Sequence, residues 1–371
     1  HSTRRQRQMC IRDRHRAGCN FFAGYPITPA TTILNTMMKI LPPKGGICIQ
    51  GEDEIASMGF CLGASMAGMK VMTATSGPGI SLYSENISFA IGSEIPIVII
   101  DVQRLGPSTG SATKGADGDI QFLRWGNSGG LPVIVLAPMD VTDCYLLTVH
   151  AFNLAESFRC PVFIASNKEI GMTRESLDLD AVALPPMVQR TIAPDNAPYL
   201  PFAITGISGI PDFMPVGGKT IARQSSSTHG PDGYITVDPE VISKNQARLC
   251  NKLEASLDTF TFYEEHMKED AEVLVITYGI SARSVMAAAK KCTASGTQVS
   301  VLALKTLWPI PEALIKKKAS GYKRVLVVEM NLGQYVHEIR RILSDHSVGF
   351  LGQMDGNLIT PSQIEEFITH A

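Results

Sequence analysis

Glu52-Asp53-Glu54 sets three carboxylates in a row where an apolar run, Ile47–Gln50, gives way to a helical stretch. Carboxyl groups do general acid–base work, and acids at a helix start also suit the helix dipole. The stretch that follows is unusually rich in small residues: Ala56, Gly59, Gly63, Ala64, Ala67 and Gly68 make a helix thin enough for a second backbone to pack closely. A second candidate is Tyr25-Pro26-Ile27-Thr28-Pro29, directly after another apolar run. Each proline fixes φ and pushes the residue before it toward extended backbone, so Thr28 offers its hydroxyl from a stiff loop. The same letters also describe a turn with Thr28 capping a helix and Pro29 at its first position.

Two further junctions have the residue types for ligand contact. Thr75-Ser76-Gly77-Pro78-Gly79 follows the apolar run 71–74. A Gly-rich junction can cradle phosphate or form a tight turn beside a cofactor, but this one lacks GxGxxG and GxxxxGK[ST]. Arg104 stands at the end of the run 97–102, where a guanidinium fork could grip a carboxylate with two hydrogen bonds. The Gly/Ser/Thr-rich loop after it, ending at Asp119, could fold over a substrate. A surface or ion-pair arginine fits the pattern equally well.

The elements that must position these loops are legible in the hydrophobic pattern. Strands are expected at Ile47–Gln50, 71–74, 97–102, 133–136 and 162–165, with helices at 54–69, 81–92 and Val141–Phe158. Near-continuous apolar strands separated by helices imply a parallel sheet covered on both faces, whose ligands sit beyond the strands' carboxyl ends. A segment rich in Pro, Gly, Ser and Thr then runs over 184–244 and reads as a connecting region, followed by a helix over 245–268. The strand–helix alternation returns at 273–277, 281–292, Val299–Leu304, 311–318 and 325–329, a second and smaller α/β domain. The expected division is 17–183, 184–270 and 271–371.

Composition narrows the function. The chain has 371 residues, enough for about two domains, with 44% hydrophobic and 18% charged residues. A net charge of −2 gives no bulk electrostatic case for nucleic acid or a membrane surface. No apolar run reaches the ~20 residues of a membrane span. The eight cysteines form no CxxC pair and are expected as free thiols in a reducing cytoplasm, with no metal-ligand spacing and no cluster of their own. Residues 1–16 are anomalous, with six Arg and one Asp; without them 27 basic residues face 34 acidic ones. Such a start can be a transit peptide, but with neither Ser enrichment nor amphipathic periodicity it reads rather as an artefact.

Taken together, "GYPITPAT", "GEDEIASMGFCLGASMAGMKVMTATSGPGISL", "DVQRLGPSTG" and "IVLAP", with "YGISAR", "LKTLWPIP" and "VVEMNLGQ" further on, resemble the α subunit of a 2-oxoacid:ferredoxin oxidoreductase of the 2-oxoglutarate type. The resemblance covers roughly residues 17 to 371. It implies an α/β fold with a thiamine-diphosphate-binding, pyrimidine-type parallel-sheet domain and a smaller transketolase C-terminal-like domain. It further implies that Glu54 pairs with the pyrimidine ring nitrogen, that Thr28 faces cofactor and substrate, and that Arg104 binds the 2-oxoacid carboxylate. Tyr25, Pro26, Ile27, Ser76 and Gly77 are implied around the cofactor, and Ser108, Thr109 and Lys114 around the substrate. No GDG…N motif or cysteine cluster is present. The resemblance therefore places the Mg2+-diphosphate site and a [4Fe-4S] cluster in a separate β subunit, with ferredoxin taking the electrons and coenzyme A the acyl group. Ser128-Gly129-Gly130 stands where many relatives carry His-Gly-Asp, and Asp117 where a Gln is usual; both are expected near the distal end of the substrate. Two other readings stay open: a 2-oxoacid dehydrogenase β-chain or transketolase-like subunit, and a non-catalytic scaffold subunit.

Overall fold

A computed structural model describes residues 17–179, 181–194, 198–204, 206 and 209–370. The Arg-rich segment 1–16 lies outside the described residues. In chain order the strands of the first half are β1 (Phe21–Gly24), β2 (Ile47–Gln50), β3 (Val71–Thr75), β4 (Ile97–Gln103), β5 (Ile134–Leu136) and β6 (Pro161–Asn167). Those of the second half are β7 (Tyr263–His266), β8 (Val273–Tyr278), β9 (Val299–Leu304), β10 (Thr306–Trp308), β11 (Arg324–Glu329) and β12 (Val348–Gly352). The helices are α1 (Thr31–Ile40), α2 (Glu54–Met66), α3 (Pro78–Leu82), α4 (Ser84–Gly92), α5 (Ile120–Trp125), α6 (Val141–Phe158), α7 (Lys168–Met172) and α8 (Pro239–Glu254), then α9 (Ser281–Ala294), α10 (Glu312–Ala319), α11 (Val336–Ile342) and α12 (Pro361–His370).

Two sheets form, ordered β10-β5-β6-β4-β3-β1-β2 and β12-β11-β8-β9-β7. All pairings are parallel except at one edge of each sheet, where β10 runs against β5 and β7 against β9. The two-residue alternation of the strands divides the first sheet's faces. Phe22, Met72, Val98 and Ile100 pack with α1 and α6. Phe21, Val71, Ile97 and Ile99 pack with α2 and α4 in a core that continues into Leu274, Ile276, Leu302 and Tyr335 of the second half. The two halves thus share one buried apolar body, and β10 carries second-half residues into the first sheet.

The expected strands are present, each within one or two residues of its pattern. Three helices differ. That expected over 54–69 stops at Met66, where the chain turns through Gly68 at φ +96°. That expected over 81–92 is the pair α3 and α4, broken at Tyr83. That expected over 245–268 is α8, which ends at Glu254, and then the edge strand β7. A single tight helical turn, Leu257–Phe260, joins the two, and the charges of "YEEH" suit an exposed edge, where Lys318 pairs with Glu265 at 2.5 Å and Lys305 with Glu264 at 3.4 Å.

The Pro/Gly-rich segment is fastened rather than loose. Buried Arg190 donates to Glu156 at 2.7 and 2.9 Å and to the Ser65 and Met69 carbonyls at 2.9 Å. Glu94, fully buried, receives Arg248 at 2.6 and 2.9 Å and Lys252 at 2.9 Å, which docks α8 onto the first half. The Lys252 ammonium and the two guanidinium contacts hold the Glu94 carboxyl down at about 2 despite its burial.

Candidate active site

The strand order β4-β3-β1-β2 sets four carboxyl ends side by side, and the four loops singled out in the sequence leave from them. At the end of β2 the three acids part ways. Asp53 caps α2, its Oδ1 accepting from the Ala56 amide at 2.7 Å. Glu52 is exposed. Glu54 turns inward and is buried, and its carboxyl accepts no hydrogen bond among the described residues. A Cβ added to Gly79 would come within 3.0 Å of the Glu54 Oε1 and 2.0 Å of the Thr75 Oγ1, so this acid and the β3 junction nearly touch across a glycine. Thr75 Oγ1 and Ser76 Oγ are buried without partners. A buried polar group without a partner costs on the order of 1–3 kcal/mol, so an unpaired carboxyl and two unpaired hydroxyls at neighbouring strand ends are the signature of a polar ligand's half-site. Their donor and acceptor set fits an aminopyrimidine ring.

Thr28 does not cap α1. The helix starts at Thr31 behind Ala30, with no side-chain cap. The Thr28–Pro29 bond is cis, and the Thr28 hydroxyl makes no hydrogen bond among the described residues. What the loop does supply is its carbonyl: Arg104 Nη1 donates to Thr28 O at 2.6 Å, while Nη2 donates to Thr109 O at 2.9 Å. Arg104 is neither a surface nor an ion-pair arginine. It is 6% exposed, its Nε is buried without a partner, and burial lowers its pKa. Two of its five N–H groups are used, so the rest can still grip a carboxylate. Gly77, at φ +38°, passes so close that an added Cβ would lie 3.6 Å from Arg104 Cγ. Thr28, Glu54, Ser76, Gly77 and Arg104 therefore form one continuous rim.

The remaining candidates sit at its border. Tyr25, Pro26, Thr28, Ser108 and Thr109 are exposed and Ile27 is half-buried; Ser108 takes φ +50°. Lys114 is exposed at the far end of the loop, its stem against Gly356 of the second half, with no ion pair among the described residues. Beyond it the loop is clamped. Asp117 N donates to Met330 O at 2.8 Å, Asn331 Nδ2 to Asp117 O at 2.9 Å, and Gln121 N to Gln334 Oε1 at 2.9 Å.

Asp117 itself is buried in this clamp, with Oδ1 accepting from Asn167 at 2.8 Å. Burial pushes its carboxyl up to about 7. Its Oδ2 is buried without a hydrogen-bond partner among the described residues. In the Ser128-Gly129-Gly130 turn, Ser128 N donates to Ser88 of α4 at 2.9 Å, and Ser128 and Gly129 line a cavity of about 280 Å³ with residues 226–229 and α8.

Sequence reasoning passed over two acids. Asp101, in β4, is fully buried, and Asp119 contacts it at the far end of the loop. The signal was present: one aspartate inside the apolar run "IVIIDV".

Comparison with known proteins agrees with this fold. The profile of the family described as "Pyruvate flavodoxin/ferredoxin oxidoreductase, thiamine diP-bdg" matches residues 14–247, and "Pyruvate:ferredoxin oxidoreductase core domain II" matches 271–364. The 2-oxoglutarate synthase subunit KorA of Methanocaldococcus jannaschii is 40% identical over 97% of each chain. The ketoisovalerate oxidoreductase subunit VorB of Methanothermobacter thermautotrophicus is 33% identical over 95% of this chain and 92% of its own. The structure of 2-oxoglutarate:ferredoxin oxidoreductase from Magnetococcus marinus, with 2-oxoglutarate, coenzyme A and succinyl-CoA bound, superposes with a TM-score of 0.91 at 33% identity, covering 98% of this chain and 64% of that one. A split-gene transketolase shares the fold at a TM-score of 0.58 and 15% identity. With both halves matched and curated relatives aligned almost end to end, the chain belongs to the 2-oxoacid:ferredoxin oxidoreductases and is similar throughout to their KorA subunits.

Proposed function

We propose that this chain builds the pyrimidine-side half of a thiamine diphosphate site and the carboxylate grip of its substrate. The site would carry out oxidative decarboxylation of a 2-oxoacid with coenzyme A and ferredoxin. The single observation that carries this is Glu54, only 7% exposed, held at the start of α2 with no hydrogen bond to its carboxyl among the described residues. Thiamine diphosphate, when bound, supplies a carbon nucleophile and an electron sink for loss of carbon dioxide.

Glu54 then holds a proton at the pyrimidine ring nitrogen and so sets which tautomer of the ring is present. Arg104 uses its remaining N–H groups to bind and orient the 2-oxoacid carboxylate. Thr28 offers its hydroxyl toward the same space, and Ser108, Thr109 and Lys114 border it. Tyr25, Pro26, Ile27, Ser76 and Gly77 shape the wall. Glu54 and Arg104 lie on residues 17–183, which would form the cofactor half, while 271–371 fixes the substrate loop through the clamp at 330–334.

The diphosphate, its Mg2+ and a [4Fe-4S] cluster would belong to a separate β subunit. The exposed side chains Tyr25, Ile55, Phe60 and Leu82 on β1's loop, α2 and α3 border this half-cleft and suit such a partner. No helix of the described residues is long and apolar enough to cross a membrane, and a cytoplasmic location is part of the proposal.

The test is Glu54→Ala in the reconstituted complex with its β subunit. Assembly should persist while 2-oxoacid-dependent reduction of a viologen acceptor falls at least about a hundredfold. Retained turnover would remove Glu54 from the chemistry. Comparing 2-oxoglutarate, pyruvate and 3-methyl-2-oxobutanoate as substrates decides the side chain, with 2-oxoglutarate expected to give the highest kcat/KM.

A further inference from the structure

The unexplained feature of the rim is a pair of acids beneath its arginine. Asp101 lies in β4 with its carboxyl fully buried, and neither oxygen meets a donor in hydrogen-bond geometry among the described residues. Its neighbours in register are Thr75 on β3 and Ala165 on β6. The groups facing it are the Gly77 amide, Asp119 in carboxyl-to-carboxyl contact, and Asp117 at longer range. Asp119 also has a buried, unpartnered oxygen, and its charged neighbours are Asp101 and the Arg104 guanidinium. Its backbone is pinned, N donating to Gln103 Oε1 at 2.9 Å. Arg104 in turn presents a buried, unpartnered Nε on the side chain that Gly77 passes.

With two carboxylates in contact, Asp101 fully buried and Asp119 half-buried with one oxygen enclosed, and no donor between them, ionising both is costly, and one shared proton removes the repulsion. Burial drives both carboxyls upward, Asp119 to about 6 and Asp101 well above its ordinary value.

We propose that Asp101 and Asp119 share a single proton and, as a hydrogen-bonded acid pair, position Arg104 and the Gly77 turn for a carboxylate ligand, so that losing the proton weakens that grip. The proposal rests on the reading of Arg104 given above, which it deepens. With the proton in place the pair carries one negative charge, enough to orient the guanidinium without neutralising more than it offers. Without the proton the pair carries two, and the substrate carboxylate must compete with it for the same cation. Asp101 and Asp119 are positioning residues; neither is required to touch substrate.

The test uses the full chain with Asp101→Asn and Asp119→Asn, whose amides stand in for a protonated acid. Urea unfolding is followed from pH 5.5 to pH 8.5. A carboxyl raised in the folded state holds its proton more tightly there, so wild-type stability should fall as pH rises through this range, and each variant should flatten the fall. Asp117 interacts with both acids and with Glu329, so the three profiles are compared in an Asp117→Asn background, where the remaining difference isolates the pair. In the reconstituted complex, KM for the 2-oxoacid should rise about tenfold over the same range in wild type, the equivalent of one pKa unit, and stay within about twofold in the variants.

Parallel stability profiles in all three chains would overturn the shared proton, whatever the activity. Flattened stability with an unchanged KM profile would overturn the link to Arg104. Absence of turnover with every 2-oxoacid would count against the substrate reading instead, and the stability measurement alone would then decide whether the pair exists.

Discussion

Glu54 and Glu329 are the same residue in nearly the same topological place, each buried near the carboxyl end of a parallel strand where a helix is about to begin. Their surroundings are opposite. Glu329, at the end of β11, accepts from Tyr278 Oη at 2.7 Å, Asn331 Nδ2 at 2.9 Å, Tyr335 N at 3.0 Å and Val336 N at 2.9 Å. Glu54 accepts nothing from the described residues. One glutamate completes a network that fastens the second half to the substrate loop; the other leaves its hydrogen-bonding capacity open. Buried polar groups are normally satisfied, so an unsatisfied one at a sheet's ligand edge marks a place shaped for something other than the chain itself.

The sharpest way to break this contrast is to truncate each glutamate. Glu329→Ala leaves a tyrosine hydroxyl and two backbone N–H groups without their acceptor; at ~1–3 kcal/mol for each unpaired group it should cost several kcal/mol, measured by urea unfolding. Glu54→Ala should leave the unfolding midpoint nearly unchanged while costing the complex at least about a hundredfold in turnover, about 2.7 kcal/mol of barrier. If Glu54→Ala unfolds the chain, or Glu329→Ala leaves it intact, the contrast fails.

Gly79→Ala sharpens it further. The new methyl would meet Thr75 Oγ1 and Glu54 Oε1 directly, so thiamine diphosphate binding in the complex should weaken by about tenfold or more, read by titration of apoenzyme with cofactor, against a stability cost of about 1–3 kcal/mol. Arg104→Lys keeps the charge but loses the fork that holds the Thr28 and Thr109 carbonyls; KM for the 2-oxoacid should rise about tenfold.

The smallest effect belongs to Asp117. Its folded carboxyl titrates near 7, well above an unfolded aspartate near 3.9, so its contribution to stability is fully present below the unfolded value and is lost as pH rises to about 7. Asp117→Asn should therefore gain on the order of 1 kcal/mol at pH 8 and nothing at pH 4, by urea unfolding at the two pH values.

Much of the molecule is legible in single-chain patterns. Apolar runs of strand length and the Gly/Ala helix gave the first sheet and α2, because burial on both faces leaves a strand few polar positions. The three-acid cluster could not be resolved by pattern: the cap is Asp53 and the inward acid is Glu54, a division decided by where the strand ends and the helix phase begins. Thr28 was open between capping and facing the site; Ala30 at the cap position excludes capping. The strand β7 falls inside the stretch expected as helix; its backbone pairs with β9, which local periodicity cannot show.

The sequence by itself determined the parallel sheets, the rigid proline-flanked loop, the identity of the groups able to do chemistry and the family to which they belong. All of these follow from residue types and short-range spacing. Only the tertiary structure decided which of those groups lack partners. That β2, β1, β3 and β4 lie side by side, that Arg104 bonds two carbonyls instead of an acid, and that Asp101 meets Asp119 are consequences of strand order and loop closure, contacts between residues far apart in the chain whose energies depend on what else is buried with them.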